Sequence, residues 1–427
     1  GDYSGPCGWV VIPAPRDDFY RKLPQFGDPG LVFFSPPMIF ETPMNKRTGV
    51  FQKVETNPLE DVEIDPSEWL CYPAKVGSLL IMVYFSTSFF ELGFSLSNLF
   101  ELDDMEDPDR VPDAVFLFGV PPNGEHVKGQ TETIFYDDVE NHMLVGTIPY
   151  RDEYGYFGYL KKMILTLHNS IMLKRGRMPY HGAMFNMVLR GKGDLTVLLI
   201  GDSGAGKSET LEAMRNIIQD EVEDLVIIAD DMGSLDFGLD GRILGYGTEM
   251  GAFVRLDDLQ SGYAFGQIDR TIIMNPDQVN ARVVLPVTKF ADVVRGYPVD
   301  LVLYANNYEP VDGQHPVIEV FANSDAALDV FRAGAVMSKG TTTTTGLVNS
   351  FYANIFGPPM YPELQEELAR KYFDAFFEHG IMVGELRTQL GVPGMEHKGP
   401  ELSARMLLET IKERAGARLA RPAVLKG

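Results

Sequence analysis

Up to about residue 150 the apolar positions fall in short runs separated by Pro-, Gly- and Asp-rich breaks. VVIP (10–13), LVFF (31–34), LLIMVYF (79–85) and VFLFGV (115–120) read as strands, with GDPG, DDMEDPDR and PPNGE between them. The most apolar stretch, Leu79 to Phe100, is interrupted by Ser86, Thr87, Ser88, Glu91, Ser95, Ser97 and Asn98. It is too polar for a membrane span and predicts buried strands. Leu102 to Asp113 is acidic and predicts a solvated loop. From about Tyr156 the period changes. Gly158 to Leu173 carries helical spacing and ends at Lys174-Arg175-Gly176. LTVLLI (195–200) predicts a strand, followed by a Gly-rich turn, a helix from Lys207 to about Gln219, and the strand LVIIAD (225–230). More strands and turns follow to about Asn307, and two helices are expected near the end, Pro362 to Glu378 and Pro400 to Arg414. Strand, loop, helix, strand in mid-chain is the logic of an α/β fold.

Composition narrows this only a little. With 427 residues, 45% apolar and 23% charged, the chain is globular and long enough for two or three domains. The 37 Lys and Arg against 60 Asp and Glu give a net charge of −23. Such a surface is unsuited to nucleic acid, so an anionic substrate needs a locally basic pocket. Two cysteines, Cys7 and Cys71, make neither a disulfide framework nor a CxxC zinc site, and a reducing cytoplasm is the expected compartment. Gly1 to Val10 lacks the basic start and apolar core of a signal peptide. Beginning with Gly rather than Met is compatible with a trimmed chain or fragment.

The chemistry is concentrated in one motif. Gly201-Asp202-Ser203-Gly204-Ala205-Gly206-Lys207-Ser208 fits GxxxxGK[ST] at every fixed position, with an apolar strand before it and a helix after it. Glycines let the backbone close around phosphate oxygens, and the helix N-terminus adds partial positive charge. Lys207 is placed to bridge terminal phosphates, and the Ser208 hydroxyl to ligate Mg²⁺ or Mn²⁺. Asp230 and Asp231 end the next apolar strand, 23 and 24 residues after Lys207. One carboxylate suffices for metal, so the pair suggests a ligand beside a base.

These residues resemble a known group. GDSGAGKSET followed by IIADD, with His181-Gly182 upstream, resembles HPr kinase/phosphorylase. The wider run from about 150 to 415 resembles the catalytic half of ATP-type phosphoenolpyruvate carboxykinase, through Tyr156-x-Gly158-x-x-Lys161-Lys162, then His181 19 residues later, the P-loop and the Asp pair. Glu249 to Arg255, Asn280-Ala281-Arg282-Val283 with Pro286, and FYANIFGPPM (351–360) continue the match in order. The resemblance implies an α/β (α+β overall) protein: residues 1–150 a β-rich N-terminal domain without assignment, and 151–427 a carboxykinase-like P-loop catalytic domain. It implies metal ligation by Lys162, His181 and Asp231 together with Ser208. Asp230 would be the base, and Lys207, Arg255 and Arg282 the cations around a migrating phosphoryl group. Substrate contacts would come from Tyr156, Gly158, Lys161 and Arg282, and nucleotide contacts from Gly201 to Ser208 and Lys398, with Arg405 nearby. Gly340 to Gly346, which contains five successive threonines, is either a mobile lid or a polar strand.

Three activities stay open at this stage. One is a metal-dependent kinase moving the γ-phosphate of ATP or GTP to a small-molecule or protein hydroxyl, with Mg²⁺ or Mn²⁺. The second is a true carboxykinase converting oxaloacetate and nucleotide to phosphoenolpyruvate and CO₂. The third is a nucleotide-binding regulatory module without turnover. The R-S-P-K-D-K segment that holds oxaloacetate in the carboxykinases has only Lys46-Arg47 as a weak counterpart here. Neither nucleic acid nor membrane is expected as a partner.

Overall fold

The computed structural model describes residues 3–7, 30–34, 38–60, 62–63, 65–105, 107, 110–121, 132–218, 222–258, 271–339 and 345–420. The fold is mixed α/β. Two compact units are each built from two stretches of chain: Gly1–Arg175 with Thr248–Phe290, and Gly176–Gly247 with Ala291–Gly427. The expected boundary near residue 150 therefore has a different counterpart. Residues 151–175 group with the N-terminal residues because the helix Phe157–Lys174 packs on the N-terminal sheet, and residues 248–290 join them through the pairing of Ile272–Met274 with Met38–Phe40. Gly146 of that sheet leaves room for Met163 and Leu167 of the helix.

In the first unit the sheet has seven strands, in the order Gln52–Val54, Ile134–Asp138, Met143–Pro149, Ala114–Val120, Leu79–Ser86, Trp69–Val76 and Glu101–Leu102. Ala114–Val120 lies parallel to both Leu79–Ser86 and Met143–Pro149. These three strands are buried almost throughout, which explains why they read as unbroken apolar runs. The strand beginning at Leu79 stops at Ser86, however. Turns of helix follow, at Thr87–Phe89, Phe90–Phe94 and Ser95–Asn98, where strands were expected. The interrupting polar residues cause this: Ser86 Oγ accepts from the Ser88 N–H, and the Ser95 hydroxyl donates to the Glu91 carbonyl. Nor is the acidic stretch after Leu102 wholly solvated, since Asp103 is buried against Arg110. LVFF lies in the strand Gly30–Phe34, paired with Tyr3–Cys7; VVIP lies outside the described residues. A smaller sheet joins Gly251–Arg255, Arg282–Pro286, Ile272–Met274 and Met38–Phe40 in that order.

The second unit holds a nine-stranded sheet. Its order is Tyr297–Pro298, Ile243–Gly247, Met232–Phe237, Met178–Leu189, Gly193–Ile200, Leu301–Asn306, Met382–Arg387 and Ile318–Val320, with Val222–Ala229 also paired to Met178–Leu189. Gly193–Ile200, Leu301–Asn306 and Met382–Arg387 run parallel, so their C-terminal ends bring residues 201, 307 and 388 to one edge. That edge is where ligands bind in parallel α/β sheets. The helix Lys207–Ile217 packs on Lys398–Ala420, which starts earlier and ends later than the periodicity predicts. Pro362–Glu378 appears as expected. A further helix, Ser324–Ala333, was not anticipated; the Asn323 side chain caps its start and left-handed Gly334 ends it. No helix among the described residues is long and apolar enough to cross a membrane. Cys71 is free and buried.

Candidate functional site

The phosphate-loop motif forms the turn its sequence demands. Gly201 leaves the strand with its N–H bonded to the His181 carbonyl at 3.0 Å. Gly204 and Gly206 take φ of 79° and 94°, which side chains disfavour. Asp202 folds back to accept the Ser203 N–H, and its carboxylate also receives the Ser350 hydroxyl. Lys207 opens the helix, and its ammonium donates to the Gly201 and Asp202 carbonyls at 2.6 and 2.9 Å. Burial pushes the Lys207 pKa down, against the opposing pull of Asp231, Asp202, Glu209 and Asp230. Ser208, next on the helix, is half-buried.

Gly206 is doubly constrained. A Cβ there would stand 2.5 Å from Thr388 Oγ1, in addition to the positive φ. Gly206→Ala is therefore expected to destabilise the second unit by at least ~2 kcal/mol and to weaken phosphate binding, measured by chemical denaturation and calorimetry. Unchanged stability would mean that the loop relaxes freely.

Asp230 and Asp231 occupy the bend between Val222–Ala229 and Met232–Phe237, both paired to the strand that carries His181. Asp230 is largely buried, whereas the Asp231 carboxylate is more accessible. His181 is fully buried, with Nδ1 2.9 Å from the Ala353 carbonyl and Nε2 2.9 Å from Asp231 Oδ1. A carbonyl only accepts, so Nδ1 carries a proton, and Nε2 then meets a carboxylate across a contact that requires a second proton or a cation. Asp202 lies 3.7 Å from Nδ1, on the opposite edge of the ring. Among the described residues, no three His, Cys, Asp or Glu side chains gather as a ready metal cluster. His181 and Asp231 nevertheless bring an imidazole nitrogen and a carboxylate oxygen together, donor types that divalent cations accept.

Most of the remaining expected residues belong to the first unit. Tyr156 caps the helix Phe157–Lys174, and its buried ring packs 5.7 Å from Phe253. Gly158 makes room for that ring, since a Cβ would lie 2.4 Å from Tyr156 Cε1; this gives the Tyr-x-Gly spacing a packing reason. Burial pushes the Tyr156 phenol up, while Arg282, Arg47 and Lys161 pull it back, so three cations act on one ring. Lys161 is buried and paired with buried Glu249 at 3.0 Å, which rules out a solvated helix face. Lys162 beside it is half-buried. Arg255 and Arg282 are directly opposed across antiparallel strands. Arg282 lies over the Phe253 ring at 5.3 Å, and Arg255 bonds Asp257 at 3.2 Å.

In the second unit Lys398 is exposed at the start of its helix, next to Gly399, which packs against the Thr388 carbonyl. Arg405 pairs with Glu401 along the same exposed helix face. The threonine run at 341–344 lies outside the described residues. The strands flanking it, Ala335–Lys339 and Thr345–Asn349, pair antiparallel. Sequence reasoning discounted Arg47, named Glu249 only as the start of a matching segment, and missed Asn307, Ser350 and Thr388 altogether. Asn307, first past its strand, carried the only legible signal, a polar side chain at the binding edge. No family model matches the chain, and no curated protein is similar enough to it to count as a match.

Proposed function

We propose that the protein is a metal-dependent phosphotransferase of the carboxykinase and HPr kinase type, which moves the γ-phosphate of ATP or GTP to a hydroxyl or enolate oxygen. The observation that carries this reading is the second unit's edge, where Lys207 is buried in the glycine turn after Gly193–Ile200 and the neighbouring strand Met178–Leu189 carries His181, bonded to Asp231. On this reading the Gly201–Ser208 backbone binds polyphosphate, and Lys207 exchanges its carbonyl partners for phosphate oxygens. His181, Asp231 and Ser208 hold the metal. When bound, the metal supplies positive charge against the phosphate oxygens. Asp230, adjacent to the metal ligand, accepts the acceptor's proton. Lys398 is assigned to the nucleotide, and a cytoplasmic location belongs to the same proposal. Production of nucleoside diphosphate from ATP and GTP with Mn²⁺, followed by an acceptor screen, tests it; no turnover with either nucleotide would favour the regulatory module.

The first unit favours the carboxykinase version. The charges of Arg282, Arg47 and Lys161 act on the Tyr156 phenol, in a chain whose net charge is −23, and Arg255 opposes Arg282 although facing like charges destabilise a strand pair. An anionic substrate gives such an arrangement its use, and a small dicarboxylate suits Arg47 and Arg282 beside a buried tyrosine, Lys161 being already paired with Glu249. Phosphoenolpyruvate formed from oxaloacetate in the same assay would support this version.

Arg282 offers a separate test. Its Nε is buried with no hydrogen-bond partner among the described residues. Arg282→Met should leave the unfolding midpoint unchanged or raised while lowering turnover by more than about tenfold, the pattern of a residue kept for function. Loss of stability with turnover intact would make Arg282 structural.

A further inference from the structure

We propose that Asn307 is a positioning residue for the phosphate loop and that it couples the loop to the strand pair Ala335–Lys339 and Thr345–Asn349, so that polyphosphate binding orders that pair. The inference rests on the nucleotide reading above and names a control of the same site.

Asn307 is fully buried. Its Nδ2 donates to the Gly204 carbonyl and to the Met337 carbonyl, both at 2.9 Å, and its Oδ1 accepts the Met337 N–H at 2.8 Å. One amide thus grips the phosphate loop with one bond and both backbone groups of a strand residue with two others. A buried amide so fully engaged fixes both partners. Thr388 grips the next loop carbonyl, Ala205, at 2.6 Å, without bonding the strand pair. Because N–H and C=O point opposite ways in a trans peptide, holding the Gly204 and Ala205 carbonyls outward aims the Ala205 and Gly206 N–H groups away from the clamps. Ala205 N–H accordingly reaches the Asp202 carbonyl, which Lys207 also contacts. The base of the strand pair is tied as well: Ser350, just past Asn349, donates to the Asp202 carboxylate, and its N–H bonds the Gly334 carbonyl just before Ala335. A phosphate that draws the loop inward therefore pulls on the pair at its middle and at its base.

The test compares wild type with Asn307→Asp, the milder Asn307→Ser, and Thr388→Val. Binding of pyrophosphate and Mg-ATP is read by calorimetry, and hydrogen exchange is followed over residues 335–339 and 345–349. Wild type should exchange more slowly there at saturating Mg-ATP. Both Asn307 variants should bind pyrophosphate about tenfold more weakly and lose the slowing even at saturation. Thr388→Val should also bind more weakly yet keep the slowing, which a merely structural role for Asn307 does not predict. If Asn307→Asp does not fold, Asn307→Ser decides. Wild-type binding with an Asn307→Ser variant of equal affinity, or with slowing retained at saturation, overturns the inference alone. So does a wild type that binds without any slowing. A wild type that binds neither probe overturns the nucleotide reading, and the inference with it.

Discussion

Asp231→Asn is expected to lower Mn²⁺-supported nucleotide turnover by about 10²- to 10³-fold, the scale on which loss of one preorganised charge-stabilising group acts. The variant keeps the shape of the side chain and removes its charge. In the structure that charge faces His181 Nε2 at 2.9 Å and contributes to the field on Lys207. A cation held between imidazole and carboxylate loses its anionic ligand in the variant. Polyphosphate, by contrast, loses a repulsive neighbour. Metal-free ATP should bind as well as to wild type or slightly better, while added Mn²⁺ should no longer tighten binding. This split separates a metal ligand from a structural acid, whose removal would weaken both states alike. Mn²⁺-dependent turnover at the wild-type rate would take Asp231 out of the site.

The second large effect is expected from Lys207→Ala, with turnover falling by roughly 10²- to 10³-fold and nucleotide affinity by more than about tenfold. Lys207 is almost wholly buried, and its ammonium is held by two carbonyls that belong to the phosphate loop itself. Burial disfavours the charged form, so the folded chain bears a desolvation penalty there without gaining a buried salt bridge of short range. Stability should consequently change little in the variant, by within ~1 kcal/mol, because the lost hydrogen bonds are offset by the relieved desolvation. Large loss of activity at near-constant stability marks a residue whose buried charge is kept for a ligand. If the unfolding midpoint collapses together with activity, Lys207 instead holds the loop's fold.

What could be read from the sequence was local. GxxxxGK[ST] fixes a turn, a lysine and a helix start within eight residues, and the structure has each of them at Gly201 to Ser208. The acidic pair was visible at the end of an apolar strand, and the helix Pro362–Glu378 from its period and its leading proline. Contacts between residues distant in sequence were not visible. Arg47 looked like part of a weak basic cluster with Lys46, yet its charge acts on Tyr156. Lys161 was expected to contact substrate, yet Glu249 pairs with it from a segment that returns to the first unit much later in the chain. Apolar run length also misled after Leu79, where serine hydroxyls bond locally and turn the chain into short helices. Asn307 and Thr388 belong to no motif. They matter because parallel pairing brings the ends of their strands beside the phosphate loop.

The central claim is tested most directly by incubating the wild-type chain with γ-labelled ATP or GTP and Mn²⁺, with and without oxaloacetate, and following label transfer and diphosphate formation together. Mn²⁺-dependent release or transfer of the γ-phosphate, abolished in Lys207→Ala and Asp231→Asn, is the predicted result. Absence of any metal-dependent turnover of either nucleotide across this set, in a folded wild-type chain, would contradict the assignment as a phosphotransferase.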